Sequence, residues 1–245
     1  MIKINKYLGQ HFLIDKNIIN KIINIDNLYN KKVLEIGPGK GFLTDYIIEK
    51  KIKKLVLIEK DRNLYELLKK KYQNIKNIEL KNEDCLKIDF DEYINFIIIS
   101  NLPYNITSKF IMKLLFTKVK IKKAILMIQK EVADKINPKN ISMNKYKFLI
   151  NYTSIFRIHF EISKNVFFPK PKINSSIITI KQKKIIENEK KLKNFINQFF
   201  NNKRKIISNL LPSYKLNKNI KNEILNKRVE NLNYNEILLL LKFLD

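Results

Sequence analysis

The sequence is most informative where it is poor. It holds 4 glycines in 245 residues, where average usage of about 7% would give roughly 17. Cys85 is the only cysteine, and His11 and His159 are the only histidines. A disulfide framework and a Cys/His zinc cluster within one chain are thereby excluded, and no metal is expected. No apolar run reaches the length that spans a bilayer, so no membrane association is expected. The opening Met1-Ile2-Lys3-Ile4-Asn5-Lys6 lacks an apolar signal core followed by small residues. A cytoplasmic monomer is expected. Arginine is scarce too, confined to Arg62, Arg157, Arg204 and Arg228.

What is present is lysine, asparagine and isoleucine. Hydrophobic residues make up 45%, enough for a packed core. The length suits one α/β domain with a small appendage. The formal net charge of +26 suggests a polyanionic partner, with RNA or DNA the default. An AT-rich coding sequence would produce the same skew whatever the function, so charge supports a nucleic-acid partner without deciding it.

Three of the glycines, Gly37, Gly39 and Gly41, fall within five residues. They follow the β-branched run Lys32-Val33-Leu34-Glu35-Ile36 and precede a helical pattern from Phe42 to Lys50, with Phe42, Leu43, Tyr46 and Ile47 on one side. Further strands are expected at Lys54–Ile58, near Ile78–Leu80, at Phe96–Ile99, around Ala124–Ile128 and at Ile177–Ile180. Helices are expected between the second and third, with Leu64, Leu67 and Leu68 buried, and from about Thr107 to Phe116. Strand alternating with helix implies a mostly parallel, doubly wound α/β sheet. The tract Phe167-Phe168-Pro169-Lys170-Pro171-Lys172 cannot be an interior strand or helix, because its prolines lack donors. From about Ile185 the pattern becomes charged and helical. This divides the chain into an expected catalytic domain, 1–184, and a small helical C-terminal domain, 185–245.

A glycine loop that follows a strand and opens a helix is the context in which backbone approaches a ligand. The spacing Gly37-Pro38-Gly39-Lys40-Gly41 is neither G-x-G-x-x-G nor a Walker motif, which disfavours a phosphate cradle; the plain alternative is a tight turn. Gly41 is expected to permit close helix–strand packing. Glu59, ending the second strand, can accept the hydroxyls of an adenosine ribose, in NAD and S-adenosylmethionine alike. Asp84 can accept from an adenine amino group, or be an ordinary loop carboxylate. Lys60 and Asp61 are expected at a solvated helix start, and Cys85 as a small buried filler.

Asn101-Leu102-Pro103-Tyr104 follows a buried strand and so lies at the carboxyl edge of the sheet, where open α/β folds bind ligands. The Asn101 side-chain carbonyl and a main-chain carbonyl of the proline turn can accept both protons of one exocyclic amine. That favours a pyramidal nitrogen with its lone pair aimed at a sulfonium methyl. Tyr104 offers a face for stacking a base. Phe167, held by the proline pair, is a candidate for the opposite wall. A proline turn with a core tyrosine and a surface turn with core phenylalanines are the plain alternatives.

Together these residues resemble the ribosomal RNA adenine dimethyltransferases. Leu8-Gly9-Gln10-His11-Phe12-Leu13 is similar to an N-terminal motif that closes over the cofactor, Val33 to Gly41 to the cofactor loop, and Asn101 to Tyr104 to the catalytic loop. Gln129-Lys130-Glu131-Val132, Phe167 to Ile173, Asn202-Lys203-Arg204-Lys205 with Asn209-Leu210, and Arg228 to Leu232 also match. The resemblance implies a Rossmann-like class I methyltransferase sheet of seven strands with a helical C-terminal domain. It implies S-adenosyl-L-methionine as cofactor, with contacts at His11, Leu13, Gly37, Gly39, Glu59, Asp84 and Asn101. It implies target-base contacts at Asn101, Leu102 and Tyr104, with Phe167 opposite. The implied partners are small-subunit rRNA and the pre-mature small ribosomal subunit. Two departures stand out: His11 replaces a commoner Asn, and Tyr146-Lys147-Phe148-Leu149-Ile150 replaces a Tyr-Gly-Arg-Leu-Ser pattern. Three other functions share parts of this pattern: a large-subunit adenine methyltransferase, an NAD-dependent dehydrogenase and a non-catalytic assembly factor. The Phe-x-Pro-x-Pro-Lys tract and the Asn-Lys-Arg-Lys segment weigh against the first. The absence of a hydride-transfer site weighs against the second, and the filled catalytic positions weigh against the third.

Overall fold

The computed structural model describes residues 11–139, 143–211 and 222–243. The main sheet holds β2 (Lys32–Ile36), β3 (Lys54–Ile58), β4 (Ile78–Lys81), β5 (Ile97–Asn101), β6 (Lys123–Gln129), β7 (Ser154–Ile162) and β9 (Ser175–Gln182). Their spatial order is β4-β3-β2-β5-β6-β9-β7. The first five pair in parallel, while β9 runs antiparallel to both β6 and β7. The order reverses between β2 and β5, the switch point where open α/β sheets leave a crevice for ligands. A separate two-stranded ribbon joins β1 (Phe12–Leu13) to β8 (Phe167–Phe168), antiparallel.

The two-residue period of the strands decides which helices each face receives. Val33, Leu55, Leu57, Ile97 and Ile99 point to one side, against α1 (Lys16–Ile23), α2 (Phe42–Glu49) and α3 (Arg62–Tyr72). Leu34, Ile36, Val56, Ile58 and Ile98 point to the other, towards α4 (Thr107–Leu115) and α6 (Lys145–Thr153). Because both faces are covered, central strands carry unbroken apolar runs. Asp15 caps α1 by accepting from the Ile18 N–H at 2.9 Å, and Asp61 caps α3 by accepting from Asn63 and Leu64.

In the C-terminal part, α7 (Glu189–Phe200), α8 (Asn222–Leu225) and α9 (Tyr234–Phe243) are helical, as the pattern after Ile185 predicts. They share the second face's core instead of enclosing a separate one. Phe148 of α6 is fully buried, and its ring centroid lies 5.9 Å from those of Phe195, Phe200 and Tyr234. Truncating such a hub costs about 3–5 kcal/mol. The atypical 146–150 stretch is therefore part of a helix that joins the sheet to the helical tail. Asn144 caps it, accepting from the N–H groups of Tyr146 and Lys147.

Three local expectations change. Phe42 is 38% exposed, and α2 buries Thr44 and Ile47 instead. Gly41 gives close packing between helices, not between helix and strand: a Cβ there would sit 2.3 Å from the Tyr72 hydroxyl of α3. β7 has no counterpart among the strands expected from periodicity. It is an edge strand with alternating exposure and a register shift between Ile158 and Phe160.

Candidate active site

A cleft opens at the carboxyl ends of β2, β3 and β5, beside the chain that leaves β4. Its lining includes Gly37, Gly39, Glu59, Asp84, Asn101 and Tyr104, so one residue from each expected motif arrives at a single place. The topology causes this, since every parallel strand delivers its following turn to the same edge.

Glu59 is 5% exposed. Its Oε2 accepts from the Gly39 N–H at 3.1 Å and its Oε1 from the Asp61 N–H at 2.8 Å. Burial raises its pKa, and the two backbone donors oppose that rise. Each oxygen keeps a second lone pair for a hydroxyl donor. Gly39 has φ +63°, and a Cβ there would lie 2.7 Å from Cε1 of Phe12. Only glycine lets the loop run beneath that ring.

The Asp84 carboxylate is held from two sides. Oδ1 accepts from the Leu86 N–H at 2.9 Å, and Oδ2 pairs with the Lys60 ammonium at 2.8 Å. The Lys60 hydrogen bond holds its pKa below the usual carboxylate range. Neighbouring Cys85 is 6% exposed, and burial pushes its thiol up to about 12. It is a filler, not a nucleophile.

At the end of β5, Ser100 donates to the Ile36 carbonyl at 2.7 Å and ties the catalytic-loop candidate to the glycine loop. The Asn101 amide nitrogen donates to the His11 carbonyl at 2.7 Å, which leaves Oδ1 as the acceptor of that side chain. Leu102 is 1% exposed, and its N–H donates to Met127. The Pro103 carbonyl accepts from both the Ile106 N–H and the Thr107 hydroxyl, so the turn feeds directly into α4. The Tyr104 hydroxyl bonds Ser175 Oγ at 2.9 Å. Its ring centroid lies 5.5 Å from that of His11, with planes 32° apart.

Leu13 and Phe167 do not reach this cleft. They face each other across the β1–β8 ribbon, at 5% and 4% exposure, and belong to the core. Phe167 as an aromatic wall is thus corrected: strand alternation turns it inward, while Phe168 is 58% exposed. Leu8, Gly9 and Gln10 of the N-terminal motif lie outside the described residues. Two lining residues were missed as site residues, Phe12 and Lys60. Phe12 stood within the N-terminal motif, so its neighbours signalled it. Asp61 does begin a helix as expected, but nothing in sequence pointed Lys60 at Asp84. Among the described residues no group of three or more His, Cys, Asp or Glu could hold a metal, and no helix is long and apolar enough to cross a membrane.

The ribosomal RNA adenine dimethylase family matches residues 1–245. A ribosomal RNA small subunit methyltransferase A from Mycoplasmopsis synoviae is 38% identical, covering 98% of this chain and 96% of its own. A protein of the same name from Malacoplasma penetrans is 40% identical, covering 87% and 81%. The solved structure of a dimethyladenosine transferase from Plasmodium falciparum superposes with a TM-score of 0.78 at 25% identity, over 94% of this chain and 96% of that one. The 23S rRNA methyltransferase ErmE has the same fold, with a TM-score of 0.73 at 22% identity over 96% and 99% of the two chains. With a full-length match, a shared fold and the ligand cleft at the expected sheet edge, this chain belongs to the ribosomal RNA adenine dimethylase family.

Proposed function

We propose that the chain transfers methyl groups from S-adenosyl-L-methionine to N6 of two adjacent adenosines near the 3′ end of small-subunit rRNA, giving N6,N6-dimethyladenosine. The observation that carries this is the fixed orientation of Asn101. With its amide nitrogen engaged by His11, Oδ1 is the atom free to accept from an exocyclic amine beside the Tyr104 ring.

The cleft fits the cofactor's chemistry. Gly37 and Gly39 bring bare backbone to its floor, where a Cβ at Gly39 would collide with Phe12. Glu59 suits a ribose diol, Asp84 an adenine amino group, and Ile36, Ile58 and Leu102 supply apolar walls. When bound, S-adenosyl-L-methionine would supply an electrophilic methyl on a sulfonium. Asn101 Oδ1 and the Leu102 carbonyl accept the two amine hydrogens and so localise a lone pair that the purine ring otherwise delocalises. Positioning is the main contribution, and no general base is assigned. The amine becomes strongly acidic only as the new bond forms, and its proton leaves along the hydrogen bond to Oδ1.

The partners we assign are small-subunit rRNA and the pre-mature small subunit. In the 185–245 region two motifs meet: the Val229 N–H donates to the Lys205 carbonyl, and the Glu230 N–H to that of Lys203. Lys203, Arg204, Lys205 and Arg228 are exposed there together, a set suited to phosphates. Every group of the cleft comes from one chain, which supports action as a monomer.

The test is incubation with radiolabelled S-adenosylmethionine and unmethylated 30S subunits, followed by nucleoside analysis. Dimethyladenosine in the small-subunit rRNA is expected. Tight subunit binding without label would refute the activity and favour a non-catalytic assembly role.

A further inference from the structure

A base lifted out for chemistry needs both faces covered. Tyr104 is the candidate for one face, but Phe167, the expected other, is buried outside the cleft. The aromatic ring that does stand against Tyr104 is the imidazole of His11, and both residues line the cleft. We propose that the His11 imidazole is the second wall of the target-adenine site, which makes His11 a specificity-determining residue of the methylation reaction. This rests on the activity proposed above.

Two anchors hold the ring there. His11 Nδ1 lies 2.8 Å from the Pro169 carbonyl oxygen. A carbonyl only accepts, so Nδ1 carries the proton and the ring is pinned to the Phe-Phe-Pro tract. The His11 main-chain carbonyl accepts from Asn101 Nδ2, so the same residue that orients the amide also presents the ring. The β1–β8 ribbon, which begins one residue later, fixes the direction of the strand.

The spacing suits a site that opens for its ligand. A flat base touching both rings needs ~3.5 Å on each side, or about 7 Å between them. The centroids are 5.5 Å apart. Admitting an adenine therefore takes an opening of about 1.5 Å and a small rotation that removes the 32° tilt. Until then the imidazole covers the Tyr104 face that the base would take. Phe168, exposed on the far residue of the ribbon, is not among the cleft's lining residues.

The test compares wild type, His11→Ala, His11→Phe and Phe168→Ala on unmethylated 30S subunits, with calorimetry of S-adenosylhomocysteine binding in parallel. Wild-type enzyme that makes no dimethyladenosine would overturn the activity itself, whatever the variants do. With wild type active, His11→Ala is expected to raise KM for subunits roughly tenfold, the scale of one lost base–aromatic stack. Its affinity for S-adenosylhomocysteine is expected to stay within about twofold, because the backbone carbonyl remains. His11→Phe is expected to restore most of the KM. The proposal is overturned if His11→Ala leaves KM unchanged, if it weakens S-adenosylhomocysteine binding without moving KM, if Phe fails to rescue, or if Phe168→Ala alone reproduces the defect.

Discussion

Glu35 lies on β2 beneath the glycine loop, 2% exposed, with Oε2 accepting from the Thr44 hydroxyl at 2.7 Å. Burial raises its pKa from 4.5 to about 8; the Thr44 bond opposes the rise, Asp45 and Glu59 add to it, and Lys71 opposes it. The folded state therefore holds this proton over a range in which the unfolded chain has released it. Between those two pKa values the unfolded state binds fewer protons, so stability falls as pH rises. The contribution is complete below pH 4.5 and lost by the time pH passes about 8. Between pH 5 and pH 9 the loss amounts to roughly 4 kcal/mol, at 1.36 kcal/mol per unit of pKa difference. Glu35→Gln keeps an acceptor for Thr44 and has nothing to ionise. Urea unfolding of both proteins, followed by circular dichroism at several pH values across that range, isolates the term. The two stabilities should nearly coincide at pH 5 and diverge in favour of Gln towards pH 9. A difference that stays flat, or that turns against Gln at high pH, would refute the account of a buried, neutral carboxylic acid.

Asn101→Ala should lower turnover by about 100-fold or more while S-adenosylhomocysteine affinity, read by calorimetry, stays within severalfold; loss of both would reassign Asn101 to cofactor binding. Gly39→Ala combines a φ of +63° with a Cβ 2.7 Å from the Phe12 ring. The backbone strain alone costs about 1–2 kcal/mol, and S-adenosylhomocysteine binding should weaken tenfold or more, an outcome that unchanged affinity would contradict. Subunit binding, measured by filter retention, should fall more than tenfold between about 50 and 200 mM salt as lysine–phosphate contacts exchange for ions. An affinity that is flat with salt would mean the positive charge has no part in recognition.

Sequence alone exposed the parallel part of the sheet because doubly covered strands are apolar throughout, as Ile97, Ile98 and Ile99 are. The same physics hid β7. Its alternation of Ile155, Phe156, Arg157, Ile158 and His159 is weaker than a continuous run, and a register shift breaks its period. The cleft was legible where backbone chemistry demands a residue type: glycine at positive φ, a carboxylate at a strand end, the Asn-Leu-Pro-Tyr turn. Phe167 and Phe168 show the limit. Adjacent residues of a strand face opposite ways, and only the pairing of β8 with β1 decides which of two identical side chains goes inward. Lys60 was invisible for another reason. Its partner Asp84 is 24 residues away, and nothing local distinguishes a lysine that crosses a cleft from one in solvent.

The ribbon joining Phe12 and Leu13 to Phe168 and Phe167 also sets a timetable. Residues 158 apart in the chain, His11 and Pro169, must both exist before the wall of the cleft can form. At ~5–20 residues per second, synthesis separates them by roughly 10–30 s. For that interval the glycine loop, Glu59 and Asp84 can already sit on a growing parallel sheet, while the N-terminal segment has no strand to pair with. An emerging chain would thus carry a half-built cofactor site, and gain its closing edge only when the Phe-Phe-Pro tract leaves the ribosome.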